Sequence, residues 1–260
     1  MSVPRSRRTA LLVAGIAAVC VLPTCAATAV GMPAAATPPT TTAPAPAAPV
    51  RARLPLRPDG YGVARPTPPV ADGRFAATVE PVPGAVLARS TWRPDCPVQA
   101  DDLRYVTVSF RGFDGAAHTG ELLLHARVAR DVVGVFEELF AAGFPIEQMR
   151  VISPAELEAA PAGDDNTTTA FDCRPIVGST SWSAHASGLA VDLNPFQNPY
   201  RCGDLILPEL ASAYLDRANL RPGMILADGP VVAAFDKIGW TWGGRWRSPV
   251  DLHHFSATGY

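Results

Sequence analysis

The chain has 260 residues, with 22 Lys+Arg against 24 Asp+Glu and a net charge of −2. That balance gives no electrostatic reason to expect nucleic acid or an anionic membrane as partner. Hydrophobic residues make up 48%, raised by the alanine and valine of the first fifty positions, and many of the 27 prolines fall before position 84.

The N-terminus reads as an export signal over residues 1–29. MSVPRSRR is a basic n-region, TALLVAGIAAVCVLP is an apolar h-region, and Ala27-Thr28-Ala29 offers an A-x-A cleavage site. The h-region, at roughly 15 residues, is short for a membrane span. An uncleaved anchor is the alternative. Lipid modification of Cys25 is disfavoured, because Pro23-Thr24 suits a lipoprotein box poorly. No second apolar run of about 18 residues follows, so no further membrane insertion is expected. Residues 30–74 are rich in Pro, Ala and Thr. Such a segment buries too little apolar surface to offset its ordering entropy, and reads as an extended linker. A removed pro-segment is the alternative. Residues 75–260 have the length of one domain with a real core.

Within that domain, LRYVTVSF (103–110) alternates as a strand, FDG (113–115) signals a turn, and GELLLHA (120–126) reads as a second strand, so the two predict a hairpin. The run 126–143 has helical period. Val128, Val132, Val135, Phe136, Leu139 and Phe140 form one apolar stripe that Gly143 ends. His125 sits at the strand–helix junction as a structural histidine, and His118, near the turn, is expected to be exposed. Residues 153–180 read as a long loop, uncommon unless it does something. GLAVDLN (188–194) is a short strand with Asp192 inside it. PFQNPYRCGD is a turn-rich connection, ELASAYLDRA (209–218) a short helix, and DGPVVAAFDKIGW a second helix ending at Gly239. The segment TWGGRWRSPVDLHHFS closes the chain as strand, with Gly243-Gly244 at a tight turn or bulge. Trp182, Trp240, Trp242 and Trp246 are read as core or pocket wall rather than as sugar platforms.

Two of the five cysteines lie in the signal, leaving Cys96, Cys173 and Cys202. No C-x-x-C spacing suggests a cysteine zinc site. Cys96 and Cys173 both sit in loop-like, polar or proline-flanked sequence and are the expected pair, although sequence alone leaves the pairing open.

A carboxylate inside an apolar strand is costly unless it is paired or bound to metal. His185 stands seven residues before Asp192 with Gly188 between, and His253, His254 and Asp251 lie near the C-terminus. His185, Asp192 and one C-terminal histidine meet the three-ligand count of a hydrolytic zinc site, with Asp251 as candidate general base. Two other readings remain. A buried His–Asp hydrogen bond would explain the pair without metal. A serine triad would use Ser183, His185 and Asp192, but no G-x-S-x-G elbow is present.

SWSAHASGLAVDLNPFQNPY carries S-x-H-x-x-G-x-A-x-D and resembles the zinc D-Ala-D-Ala carboxypeptidases of the VanY type, a group that includes dipeptidases and L-alanyl-D-glutamate endopeptidases. WTWGGRWRSPVDLHHFS is similar to that family's closing W-G-G-x-W…D-x-x-H-F segment, and FDCRP (171–175) to its upstream N-C-R stretch. The resemblance runs over roughly residues 90–260. It implies that His185, Asp192 and His254 bind Zn2+ and that Asp251 is the base. It also implies that Ser183 positions substrate or the first ligand and that Arg174 binds substrate and polarises the scissile carbonyl. Three departures stand out. His253 occupies a position where Met or Gln is more usual, Asp172 replaces Asn, and Cys202 has no counterpart. Neighbours in a strand face opposite ways, so only one of His253 and His254 should reach a metal.

The fold expected is α+β: a small antiparallel sheet with helices packed on one side and zinc on the sheet face. The function expected is a secreted, cell-wall-associated zinc metallopeptidase, monomeric, acting on peptidoglycan stem peptides. D-alanyl-D-alanine carboxypeptidase comes first and endopeptidase second; a non-catalytic wall-binding module of the same fold is the reading without turnover.

Overall fold

The computed structural model describes residues 72–158, 166–176 and 179–259. The expected signal, nearly all of the expected linker and parts of the 153–180 segment lie outside the described residues.

The first sheet is built from β1 (Ala77–Pro81), β2 (Leu103–Arg111) and β3 (Ala117–His125), all antiparallel in the order β1-β2-β3. The expected hairpin is its centre, in register from Leu103↔His125 to Arg111↔Ala117. Alternation sends Val106, Val108 and Phe110 with Leu122 and Leu124 to one face. That face packs against the apolar stripe of α2 (Ala129–Ala141), namely Val132, Val135, Phe136 and Leu139. The opposite face is not bare. Leu103 and Leu123 join Val86 of the short α1 (Gly84–Arg89), Val98, Phe171 and the cystine Cys96–Cys173 in a smaller cluster. The expected disulfide is therefore present, and Cys202 is a free, exposed thiol.

The segment expected to be one long loop contains α3 (Pro154–Leu157) and, after β4 (Gln148–Met149), the strand β5 (Thr167–Thr168) that pairs with β4 in parallel. Ser153 and Glu156 form a reciprocal capping box and Pro154 opens the helix. These local hydrogen bonds give order to a polar stretch without hydrophobic period.

β6 (Ala190–Asp192) is the strand expected around Asp192. A small hairpin follows, β7 (Tyr200–Cys202) with β8 (Leu205–Leu207). The helix expected at 209–218 is a 3-10 helix over Glu209–Leu215, and α4 (Pro230–Lys237) is the second expected helix. The end of the chain supplies β9 (Thr241–Trp242), β10 (Val250–Asp251) and β11 (His254–Ser256). They complete two three-stranded sheets, β6-β11-β9 and β10-β7-β8. Val191 and Phe255 of the first of these, with Leu193 just after β6, join α2, α4 and the β1-β2-β3 sheet in one continuous core. Phe255 stacks on Phe235 of α4 with ring centroids 4.0 Å apart.

Two expectations about exposure are corrected. His118 is buried, 9% exposed: its Nε2 lies 3.0 Å from both carboxylate oxygens of Asp114, and its ring stacks on Phe110. The partner four residues earlier in the turn makes burial affordable. Trp240 and Trp242 are core, as expected, but Trp182 is 40% exposed, with the Arg93 guanidinium 5.8 Å from its ring centroid. Among the described residues no helix is long and apolar enough to cross a membrane.

Candidate metal centre

His185 sits in a 3-10 turn, Ala184–Ser187. The Ser183 hydroxyl oxygen caps that turn by accepting from the His185 backbone N–H at 3.3 Å. Gly188 closes it in the left-handed region at φ 66°. Its carbonyl accepts from the His125 N–H at 2.9 Å, so the end of β3 holds the turn in place. A Cβ at Gly188 would stand 2.7 Å from that same His125 nitrogen. Glycine is required here on both grounds. The ring is fixed in turn. Nδ1 donates to the Ala170 carbonyl, which turns Nε2 inward.

Asp192 and His254 are direct cross-strand partners on β6 and β11. On its other side Asp192 exchanges backbone hydrogen bonds with Thr169, at 3.1 and 2.9 Å. The carboxylate is thus carried by a strand locked on both edges. Cross-strand partners project to one face of a sheet, and the 3-10 turn delivers His185 to that face. His185 Nε2 lies 3.1 Å from His254 Nδ1 and 3.1 Å from Asp192 Oδ1, and His254 Nδ1 lies 3.0 Å from Asp192 Oδ1. The three residues are 1%, 7% and 5% exposed for His185, Asp192 and His254. They form a buried group able to hold a metal ion.

Two imidazole nitrogens and a carboxylate oxygen converging in a triangle of this size repel unless shared protons or a cation stand among them. Tetrahedral ligands at zinc–nitrogen and zinc–oxygen distances near 2.0–2.1 Å are about 3.3 Å apart, so the donor set fits a divalent ion with little movement. Burial by itself pushes the Asp192 carboxyl up. The charges of His185 and His253 and the hydrogen bonds from His185 and His254 outweigh it and hold the group well below the usual carboxylate range.

Of the two adjacent histidines, His254 is the one in the triangle. His253 precedes β11 and is not part of the triangle. Its Nδ1 is 2.7 Å from the Asn198 carbonyl, and its Nε2 is 3.0 Å from Asp251 Oδ1 and 3.7 Å from Asp192 Oδ2. Asp251, on β10, thus lies beside the site, and its Oδ1 is buried without a hydrogen-bond partner among the described residues. Its backbone lies against the turn Gly243–Arg245, where a Cβ on Gly243 would stand 2.7 Å from the Asp251 carbonyl oxygen. This close approach explains the first glycine of the W-G-G-x-W stretch. Across the β10–β7 pair Asp251 faces Tyr200, whose phenol is pushed up to about 12 by burial and by the neighbouring Cys202 and Asp251. The Trp246 ring lies 5.4 Å from that of His254 as a wall of the site.

Ser183 is at the site as the cap of the His185 turn. Arg174 is tied to it through the backbone, its carbonyl accepting from the Ser183 N–H at 3.2 Å, but its guanidinium donates to the adjacent Pro175 carbonyl at 3.4 Å. The contributions of Asn198, Ala170 and Thr169 escape sequence reasoning. They act on the site through backbone atoms, which leave no mark on residue type; the sequence around Asn198 reads only as a turn-rich connection.

No curated protein and no solved structure matches the chain. A family model described as D-alanyl-D-alanine carboxypeptidase matches residues 177–257, the segment that carries Ser183, His185, Asp192, Asp251 and His254. That match, falling on the segment with the metal-holding geometry, supports a peptidase of the VanY-type family.

Proposed function

We propose that the protein is an exported zinc metallopeptidase that hydrolyses peptidoglycan stem peptides as a D-alanyl-D-alanine carboxypeptidase. The observation that carries this reading is the triangle of His185 Nε2, Asp192 Oδ1 and His254 Nδ1, with edges of 3.0–3.1 Å. Two imidazoles and one carboxylate are a donor set that suits zinc and leaves a fourth position open. Bound zinc would supply Lewis acidity, lowering the pKa of water to about 7 and polarising an amide carbonyl.

The chain's own residues do the rest. Asp251 takes the proton of the attacking water on its carboxylate and returns it to the leaving amine. Ser183 holds the His185 turn, and the Ala170 carbonyl fixes the tautomer that directs Nε2 inward. Arg174 lies one backbone hydrogen bond from Ser183 and is the cation available to substrate carboxylate or developing oxyanion. The basic and apolar segments of residues 1–29 and the linker 30–74 support a site of action outside the cytoplasm. The cystine Cys96–Cys173 suits that oxidising compartment.

The test uses purified protein. Elemental analysis is expected to find zinc, and incubation with a muropeptide pentapeptide is expected to release the terminal D-Ala, read by mass spectrometry and abolished by a chelator. An internal cut in the stem peptide would move the assignment to endopeptidase, and zinc without any cleavage would leave a wall-binding module. Asp251→Ala should retain zinc and lower kcat by about 10²- to 10⁴-fold; unchanged turnover would remove Asp251 from the mechanism.

A further inference from the structure

We propose that the face of the β7–β8 hairpin carrying Tyr200, Cys202, Leu205 and Leu207 is the wall that binds the acyl side of an extended peptide substrate; this rests on the peptidase reading above. Strand register places these side chains. Asp251 on β10 pairs with Tyr200 on β7, Tyr200 pairs with Leu207 on β8, and Cys202 pairs with Leu205. Cross-strand partners project to one face of a sheet, and residues two apart in a strand share it. Asp251, Tyr200, Cys202, Leu205 and Leu207 therefore line one face of the β10-β7-β8 sheet. Burial, the Cys202 thiol and the Asp251 carboxylate all push the Tyr200 phenol up, as side chains set beside one another would. Val250 belongs to the opposite face and packs against the core. The wall begins at the metal centre, because Asp251 Oδ1 stands 3.0 Å from His253 Nε2, itself 3.7 Å from Asp192 Oδ2.

Length decides the occupant. Neighbouring strands lie about 4.8 Å apart, so the row from Asp251 across Tyr200 to Leu207 extends about 10 Å from the proposed base. The leaving D-alanine is one residue and spans at most about 3.6 Å. Only the acyl side of the peptide is long enough to follow the row. Arg174, the cation available to the substrate carboxylate, is tied to the Ser183 backbone and is not on this face. The face is thus left to the other end of the peptide. Its chemistry suits such a chain. Beyond Asp251 the row carries no charge. The Tyr200 hydroxyl is a donor for a peptide carbonyl, and Leu207 and Leu205 offer aliphatic surface whose burial is favourable. Leu205 is 44% exposed, and Cys202 is an exposed free thiol. A lone exposed leucine means little; this one continues a row that starts at the proposed base.

Cys202 is the reporter for the test. Full-length Asp251→Ala protein, loaded with zinc, is treated with iodoacetamide, and alkylation of the Cys202 peptide is followed by mass spectrometry. Millimolar muropeptide pentapeptide should slow that alkylation several-fold. The dipeptide D-Ala-D-Ala, too short to pass Tyr200, should not. In otherwise wild-type protein, Tyr200→Phe should raise KM for the pentapeptide about 2- to 10-fold, the worth of one neutral hydrogen bond, at unchanged kcat. Arg201→Ala, in the register of the opposite face, should leave both constants unchanged. Equal alkylation with and without pentapeptide would overturn the proposal, as would equal protection by the dipeptide or a Tyr200→Phe effect confined to kcat. The alkylation experiment leaves the hairpin unaltered, so it decides even where Tyr200→Phe folds poorly. If the pentapeptide protects Cys202 but the wild type does not cleave it, the carboxypeptidase reading fails and the wall stands. If it is cleaved without protecting Cys202, the wall fails alone.

Discussion

A carboxylate inside the apolar run Leu189–Leu193 loses several kcal/mol of hydration and must recover it from its neighbours. Asp192 does so through His185, His253 and His254, which hold its carboxyl below the usual range against the opposing pull of burial. The linkage sign follows. A carboxyl whose folded pKa lies below its unfolded value of about 3.9 adds stability that is fully present above that value. The stability is lost as pH falls through the folded pKa. In metal-free protein, urea unfolding at a series of pH values should therefore show a steeper loss of stability below about pH 4 for the wild type than for Asp192→Asn. With metal supplied, the same variant should bind none by elemental analysis; retained zinc would remove Asp192 from the ligand set. Asp192 stood out in the sequence because a carboxylate is the wrong residue for its apolar surroundings, whereas His185 and Asp251 were singled out by spacing and by the resemblance. The choice of His254 over His253 came from the resemblance of the closing segment, not from the residues' own pattern. The alternation rule says that one of two neighbours reaches the metal, but not which one. That was decided by where β11 begins, and by the backbone carbonyl of Asn198.

At the scale of elements, the site depends on a turn that only glycine can close. Gly188→Ala places a side chain at φ 66° and sets its Cβ 2.7 Å from the nitrogen of His125, an atom of the backbone that cannot swing aside. Left-handed strain alone costs about 1–3 kcal/mol, and the clash adds to it by prising the His185 turn away from β3. The variant should melt several degrees lower and bind zinc more weakly, measured by calorimetry and by metal titration. An unaltered metal affinity would show that the turn is not what aims His185. The hairpin β2–β3 and helix α2 were readable from periodicity because they are long enough to show one. β1, α1, β7 and β8 were not, since elements of three to six residues carry too few positions to establish a period. The 153–180 segment is a different case. Ser153-Pro154 with Glu156 is a helix start written in the sequence, hidden there by the surrounding Gly, Asp, Asn and Thr.

Across the whole molecule, the three candidate ligands join parts of the chain that are distant in sequence, with His185 and His254 separated by 69 positions. The strands that carry Asp192 and His254 are backed by the same core that unites α2, α4 and the β1-β2-β3 sheet. A metal held by these residues binds the native arrangement and not the unfolded chain, so its binding energy adds to the stability of the entire domain. At free zinc about 1,000 times its dissociation constant the gain is about 4 kcal/mol, enough to move a thermal midpoint by several degrees for a domain of this size. Chelation should lower the melting temperature reversibly, and added zinc should restore it. The variants then separate the two roles assigned to carboxylates. Asp251→Ala should keep the zinc-dependent shift, because the proposed base is not a ligand, whereas Asp192→Asn should melt at one temperature with or without zinc. A wild-type melting temperature indifferent to the chelator would mean that the ion is not held by the native fold. The convergence of His185, Asp192 and His254 would then have to be explained by shared protons alone.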